Sequence, residues 1–163
     1  MSVSYDLLEE QVRALLAGER DFIANAANFA AFVYHELPDV NWAGFYLAAP
    51  DGTLVLGPFC GRPACARLPA GRGVCGTAAH RRVTVVVDDV NAFDDHIVCD
   101  SASRSEIVVP IVYGSELAAV FDCDSPKPAR FGDADRAGIE RLVAVFTAAA
   151  DRPVQPPGAS SYP

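Results

Sequence analysis

Two apolar runs joined by a tight turn constrain this chain most. Glu106–Tyr113 (EIVVPIVY) and Glu116–Asp124 (ELAAVFDCD) flank Tyr113-Gly114-Ser115. Runs this apolar on both faces read as a hairpin of central, well-buried strands. Such a hairpin needs cover above and below, so the rest of the chain must supply two layers. Its second strand ends in two acids, Asp122 and Asp124, and its first begins with a third, Glu106. Just upstream lies a polar loop, Asp88–Ser103, in which Cys99 stands between Asp95 and Asp100. Carboxylates repel a thiolate, so a thiol placed beside them suggests one that works with a proton donor.

The flanking segments supply the layers. Tyr5–Ala17 carries Leu7, Leu8, Val12, Leu15 and Leu16 as a helical stripe that Gly18 stops. A second helix is predicted from about Asp21 to Leu37, with Pro38 ending it. Both should pack on a sheet, and a homodimer contact through them is compatible with that packing. Val40–Ala48 (VNWAGFYLA) reads as a strand, reversed at Pro50-Asp51-Gly52 and answered by Thr53–Leu56. Alternation puts Trp42, Gly44 and Tyr46 on one face and Ala43, Phe45 and Leu47 on the other. Gly44 should leave room above the sheet, with Trp42 as one wall of an apolar slot.

Gly57–Gly76 is predicted as a long functional connection carrying Cys60, Cys65 and Cys75. A helix over Val74–Arg81 should follow, with Cys75 in its first turn, where the helix dipole lowers a thiol pKa. Val83–Val87 reads as a short strand. Asp133 is the expected N-cap of a last helix through Ala149. Asp151–Pro163, rich in Pro, Ser and Gly, is expected to be a disordered tail behind one catalytic domain over residues 1–150. The order predicts an α+β layer fold: a central, mostly antiparallel sheet, helices on one side, and the two long loops over the other. The ligand pocket belongs between sheet and loops.

Composition narrows the function. The formal net charge of −8 disfavours nucleic acid and anionic membranes as partners. No apolar run approaches the roughly 20 residues of a membrane span. The acidic start MSVSYDLLEEQ lacks a basic leader region, so a cytoplasmic address is expected. Five cysteines in a reducing compartment argue against a static disulfide framework. Cys65, Cys75, His96 and Cys99 match no zinc spacing, and no metal is expected.

The element order resembles a GAF domain. The segments NWAGFYL, LGPFCGRPAC, GRGVCGTA, HIVCDSASRSEIVVPI and FDCDSPKPARFGDAD resemble those of the free methionine-(R)-sulfoxide reductases, GAF enzymes that act on the free amino acid. The match spans roughly Leu7 to Phe146. The resemblance implies a nucleophile at Cys99, a resolving thiol at Cys65, and an auxiliary or alternatively paired thiol at Cys75. It implies substrate-site acids at Glu106, Asp122 and Asp124 and an aromatic wall at Trp42 and Tyr46. Cys60 and Cys123 match no catalytic position.

The implied chemistry is reduction of free L-methionine (R)-sulfoxide through a cysteine sulfenic acid and an intramolecular disulfide, recycled by thioredoxin without a cofactor. Glu106 and Asp124 are assigned to polarise the sulfoxide. Asp122 or Glu106 would hold the substrate ammonium, and backbone N–H groups around Ile97, Val98 and Cys99 its carboxylate. The competing expectation is a GAF module that senses a small ligand or redox state without turnover.

Overall fold

The computed structural model describes residues 3–159. Six strands form one antiparallel sheet in the order β3-β2-β1-β6-β5-β4. They are β1 (Trp42–Ala48), β2 (Leu54–Gly61), β3 (Arg67–Leu68), β4 (Val85–Val87), β5 (Ser105–Tyr113) and β6 (Glu116–Ser125). The hairpin β5–β6 and strand β1 occupy the middle, as their apolar runs require.

Three helices cover one face: α1 (Tyr5–Leu15), α2 (Phe22–Glu36) and α4 (Asp133–Ala149). Between them and the sheet lies an aromatic core in which Phe29 meets Phe121 and Phe146 at centroid distances of 5.0 and 5.3 Å. Asp21 caps α2 as a helix-start residue should, accepting from the Ala24 amide at 2.8 Å. The start of α4 differs from expectation. Its N-cap is Gly132, one residue earlier than Asp133, and Asp135 reaches back to accept from the Gly132 amide at 3.1 Å. Asp135 is also held by Tyr5 and Arg130, and this ties the helix start to α1.

The fourth helix, α3 (Gly73–Arg81), breaks the expected segregation. It lies on the opposite face, where Val74, Cys75 and Ala78 join Trp42, Tyr46, Val108 and Val120 in a second core. The site side is therefore built from loops and one helix. Much of the expected Gly57–Gly76 loop is strand. β2 continues to Gly61, and a two-residue β3 pairs with Leu54 and Val55. The Gly57-Pro58 pair, at the start of the expected connection, forms a bulge. Gly44 faces Phe59 and Tyr46 faces Leu56, so Phe45 alone opposes Gly57 and Pro58. A proline missing its N–H is tolerated where the ladder is already interrupted.

The segment after α4 also departs from the disorder its composition suggests. The Asp151 amide donates to Arg20 O at 2.8 Å, Arg152 pairs with Glu116, and Arg67 donates to Pro157 O at 3.0 Å. The Ala159 amide reaches Asp51 Oδ2 at 2.8 Å. Residues 160–163, the rest of the expected tail, lie outside the described residues.

Candidate active site

The site starts from strand register. β5 and β6 place Glu106 opposite Asp124, and Val108 opposite Asp122. β1 and β6 place Trp42 opposite Asp124, and Gly44 opposite Asp122. Period-2 alternation then directs Glu106, Asp122, Asp124, Trp42 and Tyr46 to the face away from the aromatic core. Cys123, between two of the acids, turns the other way into that core and is fully buried.

These side chains floor a recess of about 570 Å³, open mouth included. Gly73, Val74 and Cys75 enter it from the start of α3. His96, Ile97, Cys99, Asp100 and Ser103 enter from the 88–103 loop, and Pro63 and Ala64 from the loop between β2 and β3. Gly44 does not leave the open space that alternation suggests. Phe59 and the Trp42 ring fill it, and a Cβ there would meet Phe59 Cβ at 2.4 Å. The aromatic wall is a row of three rings: Phe59 stacks on Trp42 at 5.4 Å, and Trp42 on Tyr46 at 6.0 Å.

At the mouth, Cys65 and Cys99 form a disulfide with their Cα atoms 5.5 Å apart. It bridges the β2–β3 loop to the 88–103 loop. A second tie to the 88–103 loop comes from the N-cap of α3, where Arg72 forks onto Asp95 with Nε at 3.0 Å from Oδ2. Cys60, Cys75 and Cys123 are free thiols.

The electrostatics of the floor are unusual. Glu106 and Asp122 are buried, at 7% and 6% exposure. Burial, then the neighbouring Asp122 and Asp124, holds the Glu106 carboxyl well above its ordinary range. Asp124 is raised in the same sense by burial, Asp122 and Asp100. Burial pushes Asp122 up to about 6, opposed by hydrogen bonds from Glu106 and Cys75. Crowding three carboxyls in one desolvated cluster favours their protonated forms, which suits them to proton donation. Asp122 Oδ1 is buried and has no hydrogen-bond partner among the described residues. An oxygen in that state is stabilised by a cationic donor.

Cys75 corrects an expectation. It does lie in the first turn of α3, but its thiol is raised well above the ordinary value, first by burial and then by Asp122, Glu106 and Asp124. Desolvation and three carboxyls outweigh the helix dipole. Its Sγ lies 3.9 Å from Glu106 Oε1. Cys75 Sγ, a Glu106 oxygen and an Asp122 oxygen all fall within 4.8 Å of one another, the donor group among the described residues that could hold a metal ion. The zinc set drawn from sequence is a different one, and two of its members are consumed by the disulfide.

A GAF domain model matches residues 21–150. The free methionine-R-sulfoxide reductase of Escherichia coli is 51% identical over 140 residues, covering 86% of this chain and 84% of that protein. The chain belongs to the free methionine-(R)-sulfoxide reductase family of GAF proteins. The Saccharomyces cerevisiae free methionine-R-sulfoxide reductase is 39% identical over 132 residues, 77% of this chain and 73% of the yeast protein. The solved structure of the Staphylococcus aureus enzyme in complex with substrate superposes with a TM-score of 0.86 at 42% identity, covering 91% of this chain and 97% of that one.

As a member of this reductase family, the chain brings its family-implied residues to one place. Cys99, Cys75, Glu106, Asp122, Asp124, Trp42, Tyr46 and Ile97 all line the recess, and Cys65 is bonded to Cys99 at its rim. Val98, expected to contribute a backbone N–H, is 63% exposed and is not among the residues that line the recess. Sequence reasoning missed Arg72, Asn41 and Ser103. Asn41 donates to Ser103 Oγ at 3.2 Å and to Asp100 Oδ2 at 3.4 Å, fastening the loop just beyond Cys99 to the start of β1. A polar residue leading directly into the aromatic run, and an arginine leading into GVCG, were the available signals.

Proposed function

We propose that this protein reduces free L-methionine (R)-sulfoxide to L-methionine. The observation that carries this reading is the Cys65–Cys99 disulfide at the rim of a recess whose floor holds carboxyls raised by burial above their ordinary range. In the dithiol state the Cys99 thiolate attacks the sulfoxide sulfur while one proton, from Glu106 or Asp124, goes to the oxygen. The hydroxyl then passes from the substrate sulfur to the Cys99 sulfur as the S–S bond of the adduct breaks, so methionine leaves with the electron pair and Cys99 is left as a sulfenic acid. Cys65 then attacks the Cys99 sulfur. The S–O bond breaks, water departs with the Cys65 proton, and the disulfide forms.

An external dithiol, for which we propose thioredoxin, reopens it by exchange. The cycle uses no cofactor. Three thiols kept free beside a disulfide that must be reopened each turn fit a reducing, cytoplasmic setting. No helix among the described residues is long and apolar enough to cross a membrane.

Selectivity follows from the charges. The substrate ammonium pairs with Asp122, whose buried Oδ1 has no hydrogen-bond partner among the described residues. Its carboxylate rests on backbone N–H groups around Ile97–Cys99. The methyl group lies against the Trp42–Tyr46 wall. Attack by Cys99 from one side and protonation from the acid side admit one sulfur epimer.

The test is turnover with separated epimers of free and N-acetyl methionine sulfoxide, with thioredoxin recycling. The free R epimer should be consumed for many cycles. Acetylation removes a charge-assisted contact of several kcal/mol, which lowers kcat/KM by on the order of a thousandfold. One equivalent per chain, followed by silence, would instead mark a redox sensor. Comparable rates for the acetylated compound or for both epimers would contradict this arrangement of the pocket.

A further inference from the structure

The loop that carries Cys65 is short of backbone support. Between the end of β2 at Gly61 and the start of β3 at Arg67 no residue pairs in the sheet, and Ala66 O accepting from the Leu56 amide at 3.0 Å closes only its far end. Two side chains from the aromatic wall reach this loop instead. The Tyr46 hydroxyl donates to Cys65 O at 2.9 Å, and the Trp42 indole N–H donates to Arg62 O at 3.1 Å. Both donors are attached to rings only 2% exposed, on a central strand, so their positions are fixed by the core. A flat apolar wall needs neither the hydroxyl nor the indole nitrogen. Both polar ends are spent on one segment, and the Tyr46 bond falls on the resolving cysteine itself.

We infer that Tyr46, assisted by Trp42, is a positioning residue for the second half of the cycle: it holds the Arg62–Ala66 segment so that the Cys65 sulfur meets Cys99. A disulfide requires its two Cβ atoms about 3.5–4.5 Å apart in one orientation, so a loop free to wander lowers the encounter of the two sulfurs. The bond that forms is the S–S bond between Cys65 and Cys99; the Cys99 S–O bond breaks and water leaves with the Cys65 proton. Tyr46 exchanges neither electron nor proton. The kinetic part of this role rests on the reductase reading; the equilibrium part does not.

The variant is Tyr46→Phe, which keeps the ring and removes the hydroxyl. Loss of one buried hydrogen bond to the loop should slow disulfide closure by about tenfold. After one turnover without reductant, Cys99 sulfenic acid should then accumulate and be trapped by a dimedone probe, where the parent protein shows none. In a Cys65→Ser background the same change should leave the lifetime of the sulfenic acid unaltered, because no resolving thiol remains to be positioned.

The equilibrium arm uses resting protein in dithiol redox buffers and needs no sulfoxide. A tenfold weaker disulfide appears as a reduction potential about 30 mV higher. Trp42→Phe should shift it in the same direction if Tyr46→Phe folds poorly. An unchanged potential in both variants overturns the proposal, as does a slowed methionine burst with no sulfenic acid behind it. A parent protein that releases no methionine at all would instead refute the reductase reading and leave the potential measurement standing.

Discussion

The two faces of one sheet solve burial in opposite ways, and strand β6 displays both. Ala119, Phe121 and Cys123 point to the helical face, among apolar residues that need only to fit. Val120, Asp122 and Asp124 point to the other, where buried Asp122 and half-buried Asp124 meet Glu106 of β5 and a buried thiol from α3. Cys123 and Cys75 are both buried thiols held above their ordinary pKa, and burial is the leading cause for each. What differs is access. Cys123 is sealed beneath helices, whereas Cys75 lines a recess with a disulfide at its mouth. The helical face supplies the stability that the site face spends on desolvated carboxyls, in keeping with strain and unpaired polarity collecting at functional sites.

The comparison can be broken most sharply at the thiols. Cys99→Ser should release no methionine even in a single-turnover mixture, because Cys65 does not line the recess and Cys75 is a buried thiol whose pKa is raised by burial and three carboxyls. Rapid-quench detection of methionine decides this, and one equivalent released by the variant would move the nucleophile elsewhere.

A paired substitution across the sheet comes next. Phe121→Ala on the helical face should cost about 3–5 kcal/mol in denaturant unfolding. The folded fraction should keep its kcat/KM within a few-fold. Glu106→Gln on the site face should do the reverse. It should lower kcat/KM by at least about a hundredfold through loss of a proton donor, while unfolding stability at pH 8 holds or rises. If both variants changed the same quantity, the division of labour between faces would fail.

The smallest effect is a pH dependence with a fixed sign. Glu106 and Asp124 have folded pKa values raised above the unfolded ones. The folded state therefore binds more protons, and stability falls as pH rises above about 4 toward the folded values. Melting temperature should decrease from pH 5 to pH 8, and the slope should flatten in Glu106→Gln. Activity should rise through about pH 6 as Asp122 ionises and fall at higher pH as the neutral acids lose their protons.

The two faces were not equally legible in the sequence. The helical face followed from period alone. Leu8, Val12 and Leu16 of the α1 stripe are buried, while Leu7 and Leu15 at its edges are exposed, and the Ala43–Phe45–Leu47 alternation corresponds to what is observed. The placement of Asp122, Asp124, Trp42 and Tyr46 on one face followed from the same period-2 rule, but the roles of the cysteines rested on resemblance, since spacing does not fix which sulfurs meet. What alternation could not give was anything depending on a third dimension. The bulge at Gly57-Pro58 turned an apparent loop into strand, because the partner strand absorbs the extra residue. The rise of the Cys75 pKa required knowing that three carboxyls converge on a helix whose dipole argues otherwise. The docked segment after Asp151 depended on long-range partners, Arg20, Glu116 and Asp51, that composition does not reveal.

The central claim is that Cys99 attacks and Cys65 resolves. Its most direct measurement is a single turnover of Cys65→Ser with free methionine (R)-sulfoxide, followed by quantification of methionine and mass mapping of the cysteines. The account predicts about one methionine per chain and a trappable sulfenic acid on Cys99, with no steady-state recycling by thioredoxin. Unimpaired steady-state turnover, with a Cys75–Cys99 disulfide in the mapped peptides, would contradict it.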